Sequence, residues 1–241
     1  MTPLNTPNRP ATAAPYPMVA TPDAARGHAG AEISAPAQRV LRNTYALLSM
    51  TLLFSAAVAA AGVALKLPAP GLVITLVGDF GLLFAVHKLQ NSGWALPAVF
   101  GLTGFMGYTL GPVLAKTLAL PGGAQTIVLA LAATGATFLA LSAYVLSSKR
   151  DFSFMGGFLF AGMVVAILAG LGAMFFQMPA LGLAVSAMVA LLSAGLILVE
   201  TSRIVNGGEP NYVLATVGLY VSIFNLFTSL LSLFGFGGSD D

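Results

Sequence analysis

Seven apolar runs of about 20 residues each restrict this chain more than any other feature of its sequence. Twenty residues of helix rise about 30 Å, the thickness of a bilayer's hydrocarbon core. The runs and their breakers place spans at 44–65, 69–88, 94–115, 124–147, 154–176, 179–201 and 212–234. Turn chemistry separates most of them: Lys66-Leu67-Pro68, Asn91-Ser92-Gly93, Pro121-Gly122-Gly123, Ser147 to Ser153 and Asn206 to Asn211. Between the fifth and sixth runs stands only Gln177-Met178-Pro179. Their joint length of about 46 residues is too great for one crossing, which predicts a tight hairpin. The short alternating strands of an outer-membrane barrel are absent from the sequence. Only 7% of residues are charged and 57% are hydrophobic, whereas soluble domains carry about 25% charge. The expected fold is an all-α polytopic membrane protein whose first partner is the lipid bilayer.

Residues 1–38 read differently. They hold seven of the 14 prolines amid Ala, Thr, Asn and Gly, with no periodic apolar face, and predict a disordered tail. They also lack the apolar core of a cleavable signal peptide, so the first span is expected to serve as both signal and anchor. The division is then tail 1–38, membrane domain 39–236 and a short C-terminal tail 237–241. Basic residues set the orientation. Arg39, Arg42, Lys88, Lys149, Arg150 and Arg203 fall on the side of the N-terminus, against Lys66 and Lys116 on the other. This predicts a cytoplasmic N-terminus and an external C-terminus. Ten cations and eight anions, dispersed among loops, form no basic patch and predict no nucleic-acid partner.

Small residues at helical steps predict close helix packing: Gly101, Gly104, Gly107 and Gly111 in the third span, and Gly162, Ala166 and Gly170 in the fifth. Pro112 should kink the third span or interrupt its hydrogen bonding.

Few side chains could carry chemistry. With no cysteine, and with His28 in the tail and His87 at a span edge, neither a metal cluster nor a Ser-His dyad is expected. The reading is a non-enzyme without cofactor or metal. Ionisable residues in hydrocarbon are costly, about 2.5–3.5 kcal/mol on insertion scales, and so mark function or pairing. Two acids lie inside the spans. Asp79 sits mid-depth in the second, either lining an ion path or bonded to a neighbouring helix. Glu200 lies about 8 Å from the cytoplasmic end of the sixth, either paired with Arg203 at i+3 or turned into the bundle. The seventh span carries Thr216 and a stripe of Ser222, Asn225, Ser229 and Ser232 on one face. A polar stripe must face protein or water, which predicts that the seventh helix is central.

The stretch from Thr103 to Pro112, TGFMGYTLGP, resembles the signature of the Bax inhibitor-1 (TMBIM) family. Val40 to Tyr45, Glu200-Thr201-Ser202-Arg203-Ile204 with Asn206 to Glu209, and Asn211 through Ser222 resemble its bacterial YccA-like branch. The similarity covers about residues 39–236. The resemblance implies six helices around a central seventh, in the bacterial inner membrane. For some members it implies a pH-sensitive calcium leak run by two facing acids, one from each of the last two helices. Glu200 matches the first of these positions, and the second falls on Ser222, which is not an acid. A single carboxylate with hydroxyls makes a poor site for calcium, which takes several hard oxygen ligands. One way to restore a second titrating group for calcium or protons is Asp79 at the level of Ser222. For bacterial relatives the resemblance also implies control of a membrane-bound AAA protease under stress. The N-terminal tail would then be the part such a machine grips.

Overall fold

The computed structural model of the protein describes residues 33–236. Regular structure among them is all helical: α1 (Ala35–Ala64), α2 (Leu72–Leu89), α3 (Ala95–Leu118), α4 (Gly123–Ser148), α5 (Gly156–Phe175), α6 (Pro179–Val205) and α7 (Tyr212–Phe236). A 3-10 turn, Ser153–Met155, leads into α5. All seven helices are long and apolar enough to cross a membrane, as the apolar runs predict. The start of α1, the end of α2, the end of α4, the end of α6 and the start of α7 share one face of the bundle, called the N-face below.

The largest difference from the expected spans is at α1, which begins nine residues before Thr44 and includes residues 35–38 that the proline count assigns to the tail. The reason is local. Ser34 caps the helix, its Oγ accepting from the Ala37 amide at 3.4 Å, and Pro36 stands in the first turn. There a proline's missing N–H costs nothing and its fixed φ suits the helix. The remaining tail residues, 1–32, and residues 237–241 lie outside the described residues.

α7 is the most deeply buried span and packs against α6, α4, α1 and α3. The wrapping is uneven, however, since α2 packs chiefly on α3 and α5 chiefly on α6. α1 and α3 approach closely because glycines face them. A Cβ on Gly107 would stand 2.5 Å from the Ser55 carbonyl oxygen, and Gly111 lies against Gly62. α3 continues through Pro112 to Leu118, since the proline withdraws a single helical hydrogen bond. The α5–α6 hairpin is as tight as the chain length requires: Gln177 takes φ 51° and Pro179 opens α6.

Candidate functional site

The polar residues of the α6–α7 connection build a network that gathers three loops on the N-face. Ser202, fully buried on α6, accepts from the Phe152 amide at 2.9 Å and donates to the Arg150 carbonyl at 3.1 Å. Its hydroxyl also lies 3.4 Å from Asp151 Oδ1. Asn206, one turn on, donates to the Ser202 carbonyl at 3.0 Å and to its Oγ at 3.2 Å. Together they pin the α4–α5 loop to α6. Asp151 accepts from the Ser153 amide at 2.8 Å. The Ser153 hydroxyl and amide, with a smaller contribution from Ser202, hold its carboxyl below the usual carboxylate range.

Asn211 does the same for the α2–α3 loop. Its amide nitrogen donates to Asn91 Oδ1 at 3.1 Å and to Gln90 Oε1 at 3.3 Å. Its own Oδ1 accepts from the Val213 amide at 2.9 Å, satisfying a free donor at the start of α7. Glu209 accepts from the Asn211 amide at 3.1 Å. Arg203 stands between two acids, 3.6 Å from Glu200 and 3.5 Å from Glu209. The expected i+3 pairing of Glu200 with Arg203 is therefore present, extended by a second carboxylate.

Glu200 turns its carboxyl along α7. A Cβ on Gly218 would meet Glu200 Cδ at 3.0 Å, so the glycine is what gives the carboxylate room. At the far end of the same helix pair, Ser186 of α6 and Ser232 of α7 line one cavity of about 450 Å³. The antiparallel register fixed by these two points places Ser193 level with Asn225, with heptad steps of 186, 193 and 200 on α6. The Ser193 hydroxyl is fully buried with no protein hydrogen-bond partner. A seam of polar side chains thus follows the α6–α7 contact from Glu200 toward the opposite face. Ser222 lies within it, but its hydroxyl donates to the Gly218 carbonyl of its own helix at 2.9 Å. Thr216 is fully buried nearer the N-face, donating to the Tyr212 carbonyl at 2.7 Å with the Thr44 carbonyl at 3.4 Å.

Asp79 belongs to a different neighbourhood. Its Oδ1 is buried without a hydrogen-bond partner among the described residues, and the adjoining Gly78 packs on Phe105 of α3. On α7 the Tyr220 hydroxyl donates to Ser55 Oγ at 2.6 Å, with the Thr103 carbonyl as an alternative acceptor at 3.3 Å. Tyr220 and Ser222 are two residues apart, roughly 200° around the helix. The Tyr220–Ser55 bond is therefore on the side of α7 away from Ser222. The structure brings Glu200 together with Arg203 and with Gly218, one turn before Ser222, and leaves Asp79 Oδ1 without a partner among the described residues.

In the sequence Ser202, Asn206, Glu209 and Asn211 stand out only as motif letters and, from Asn206 on, as a turn. Their partners lie 50–56 residues away for Ser202 and Asn206, and about 120 for Asn211, separations that helical periodicity does not reveal.

Comparison with known proteins agrees with this arrangement of motifs. A family model described as "Inhibitor of apoptosis-promoting Bax1" matches residues 37–239. The protein named "Modulator of FtsH protease YccA" from Escherichia coli K12 is 50% identical over 202 residues, 84% of this chain and 92% of that protein. An uncharacterized protein of Pseudomonas aeruginosa is 52% identical over 84% of this chain and 91% of its own length. An uncharacterized membrane protein of Vibrio cholerae is 47% identical over 84% and 92%.

Proposed function

This chain belongs to the Bax inhibitor-1 family, and on that premise we propose that it is a non-enzymatic modulator of a membrane-bound ATP-dependent protease in the bacterial inner membrane. The observation that carries the proposal is the 50% identity, over 84% of this chain and 92% of the relative, with a protein named as a modulator of the FtsH protease. The N-face is consistent with this role. Hydrogen bonds join its three loops into one surface, and a rigid surface loses little ordering entropy on meeting a partner. The excess of basic residues on this side supports a cytoplasmic position for it, where an ATP-driven machine works. The residues that precede α1 in the sequence supply a handle.

Removal of residues 2–32, which leaves the Ser34 cap and α1 whole, tests the handle. The full chain is expected to co-purify with a tagged FtsH-type protease from detergent-solubilised membranes, and the truncated chain to be lost from the complex. Failure of the full chain to co-purify would sink the proposal.

A second reading, a slow pH-sensitive leak of calcium or protons, is favoured by the polar seam between α6 and α7 with Glu200 at its mouth. It has one acid where a facing pair would share a proton, and that acid already has Arg203 beside it. In liposomes this reading predicts flux across neutral pH that survives removal of residues 2–32 and falls in Glu200→Gln. Flux equal to that of empty vesicles would dismiss it.

A further inference from the structure

α1 and α4 touch through the edge-on rings of Tyr45 and Phe138, 5.9 Å apart, and a cleft of about 420 Å³ opens between them on the side away from the N-face. α7 forms its floor with Tyr220, Ile223 and Phe227, and α3 closes it with Leu110 and Leu114. Three of its lining residues carry hydroxyls, Ser55, Thr134 and Tyr220. Each hydroxyl is already occupied: Tyr220 and Ser55 bond to one another, and Thr134 donates to the Ala130 carbonyl at 2.7 Å. The rest of the wall is aliphatic or aromatic, so the interior offers an entrant little beyond the Ser55 hydroxyl as a polar partner. An occupant with buried polar groups would leave them unpaired at a cost of about 1–3 kcal/mol each.

The mouth is continuous with the bilayer-facing flank. Leu53 and Leu131, which line the cleft from α1 and α4, are 73% and 56% exposed. Size narrows the choice of occupant. One turn of α-helix, about 10 Å across and 5.4 Å high, fills on the order of 400 Å³. The space is of the size of a single helical turn, short for a docked helix, whereas an extended hydrocarbon chain reaches into it through the lateral opening beside Leu53 and Leu131. We propose that this cleft is a binding site for one acyl chain of a bilayer phospholipid, entering sideways between α1 and α4 and ending against Tyr220.

Gly135 provides the means of filling it. It lines the cleft, and a Cβ there would meet nothing within 4 Å, so Gly135→Trp enters open space without disturbing backbone. Gly172 on α5 is equally open but lies outside the cleft, and Gly172→Trp serves as the control. The full chain would be reconstituted in vesicles of phosphatidylethanolamine and phosphatidylglycerol carrying a trace of phospholipid with a photoactivatable group on its acyl chain. After illumination, labelled peptides are mapped by mass spectrometry. Label is expected to concentrate on residues 52–60 and 127–138, several-fold above the exposed Phe158 and Phe160 of α5. It should fall several-fold in Gly135→Trp, persist in Gly172→Trp and be equal for the two headgroups. Label spread evenly over exposed apolar residues of the unmodified chain overturns the proposal, whether or not the variants fold. So does a map that follows the headgroup. Intermolecular disulfide formation by Leu53→Cys, in a chain otherwise free of cysteine, together with absent label, would assign the cleft to a second copy and overturn it equally.

Discussion

Ser202 shows how much one small hydroxyl can organise at the end of an apolar helix. It is both acceptor and donor for the α4–α5 loop, and Asn206 bonds to it from below. In Ser202→Ala the Phe152 amide loses its partner, and the Arg150 carbonyl keeps only the longer bond from Asn206 at 3.4 Å. The expected loss of stability lies toward the lower end of about 1–3 kcal/mol, because the loop is partly exposed and water replaces part of the bonding. Thermal unfolding in detergent, with trypsin cleavage after Lys149 and Arg150 as a local probe, checks this. Cleavage should rise in the variant; an unchanged pattern would remove Ser202 from this role. Asp151 adds a pH dependence of definite sign. Its carboxyl is held below the ordinary value by the Ser153 hydroxyl and amide, so the folded state favours the ionised form. The stabilisation is complete above the unfolded value of about 3.9 and fades as pH falls through the lower folded value. The difference between the native chain and Asp151→Asn should therefore be flat at neutral pH and close only in acid.

At the scale of helices, close approach matters more than individual hydrogen bonds. An interhelical hydrogen bond in a membrane contributes on the order of 0.6 kcal/mol, which limits what the Tyr220–Ser55 contact alone can supply. Overpacking costs about 1–3 kcal/mol, and Gly107 is where α1 and α3 admit no extra atom. Gly107→Ala should lower stability by that larger amount, whereas Gly135→Ala, with open space around it, should be neutral. Equal effects of the two substitutions on thermal unfolding would contradict the packing account. These elements also show what can be read from a sequence. The seven spans were legible because apolar length is a property of contiguous residues, and the glycine face of α3 because it repeats at helical steps. The start of α1 was not, since Pro36 counts as tail composition until Ser34 is seen to cap a helix. The N-face network was not, since Asn211 and Asn91 meet only when the bundle closes. The stripe on α7 suggested a wall, yet the register that sets Ser193 against Asn225 depends on how α6 and α7 pack.

At the largest scale, the helical body of residues 33–236 has two distinct regions. One face is a hydrogen-bonded platform at the ends of α2, α4 and α6 and the start of α7. The flank carries a cleft open to lipid, and α7 runs through both regions. The two functional readings place activity differently: a leak would need the α6–α7 seam to conduct, while a protease modulator would need the N-face and the N-terminal segment to engage a partner. Titration of a purified FtsH-type protease with the full chain in one vesicle population, while the degradation rate of a separate membrane substrate is followed, separates them most directly. The proposed role predicts a rate that changes with the amount of chain added, saturates, and loses this dependence when residues 2–32 are removed. A rate that stays constant across the whole titration would contradict it.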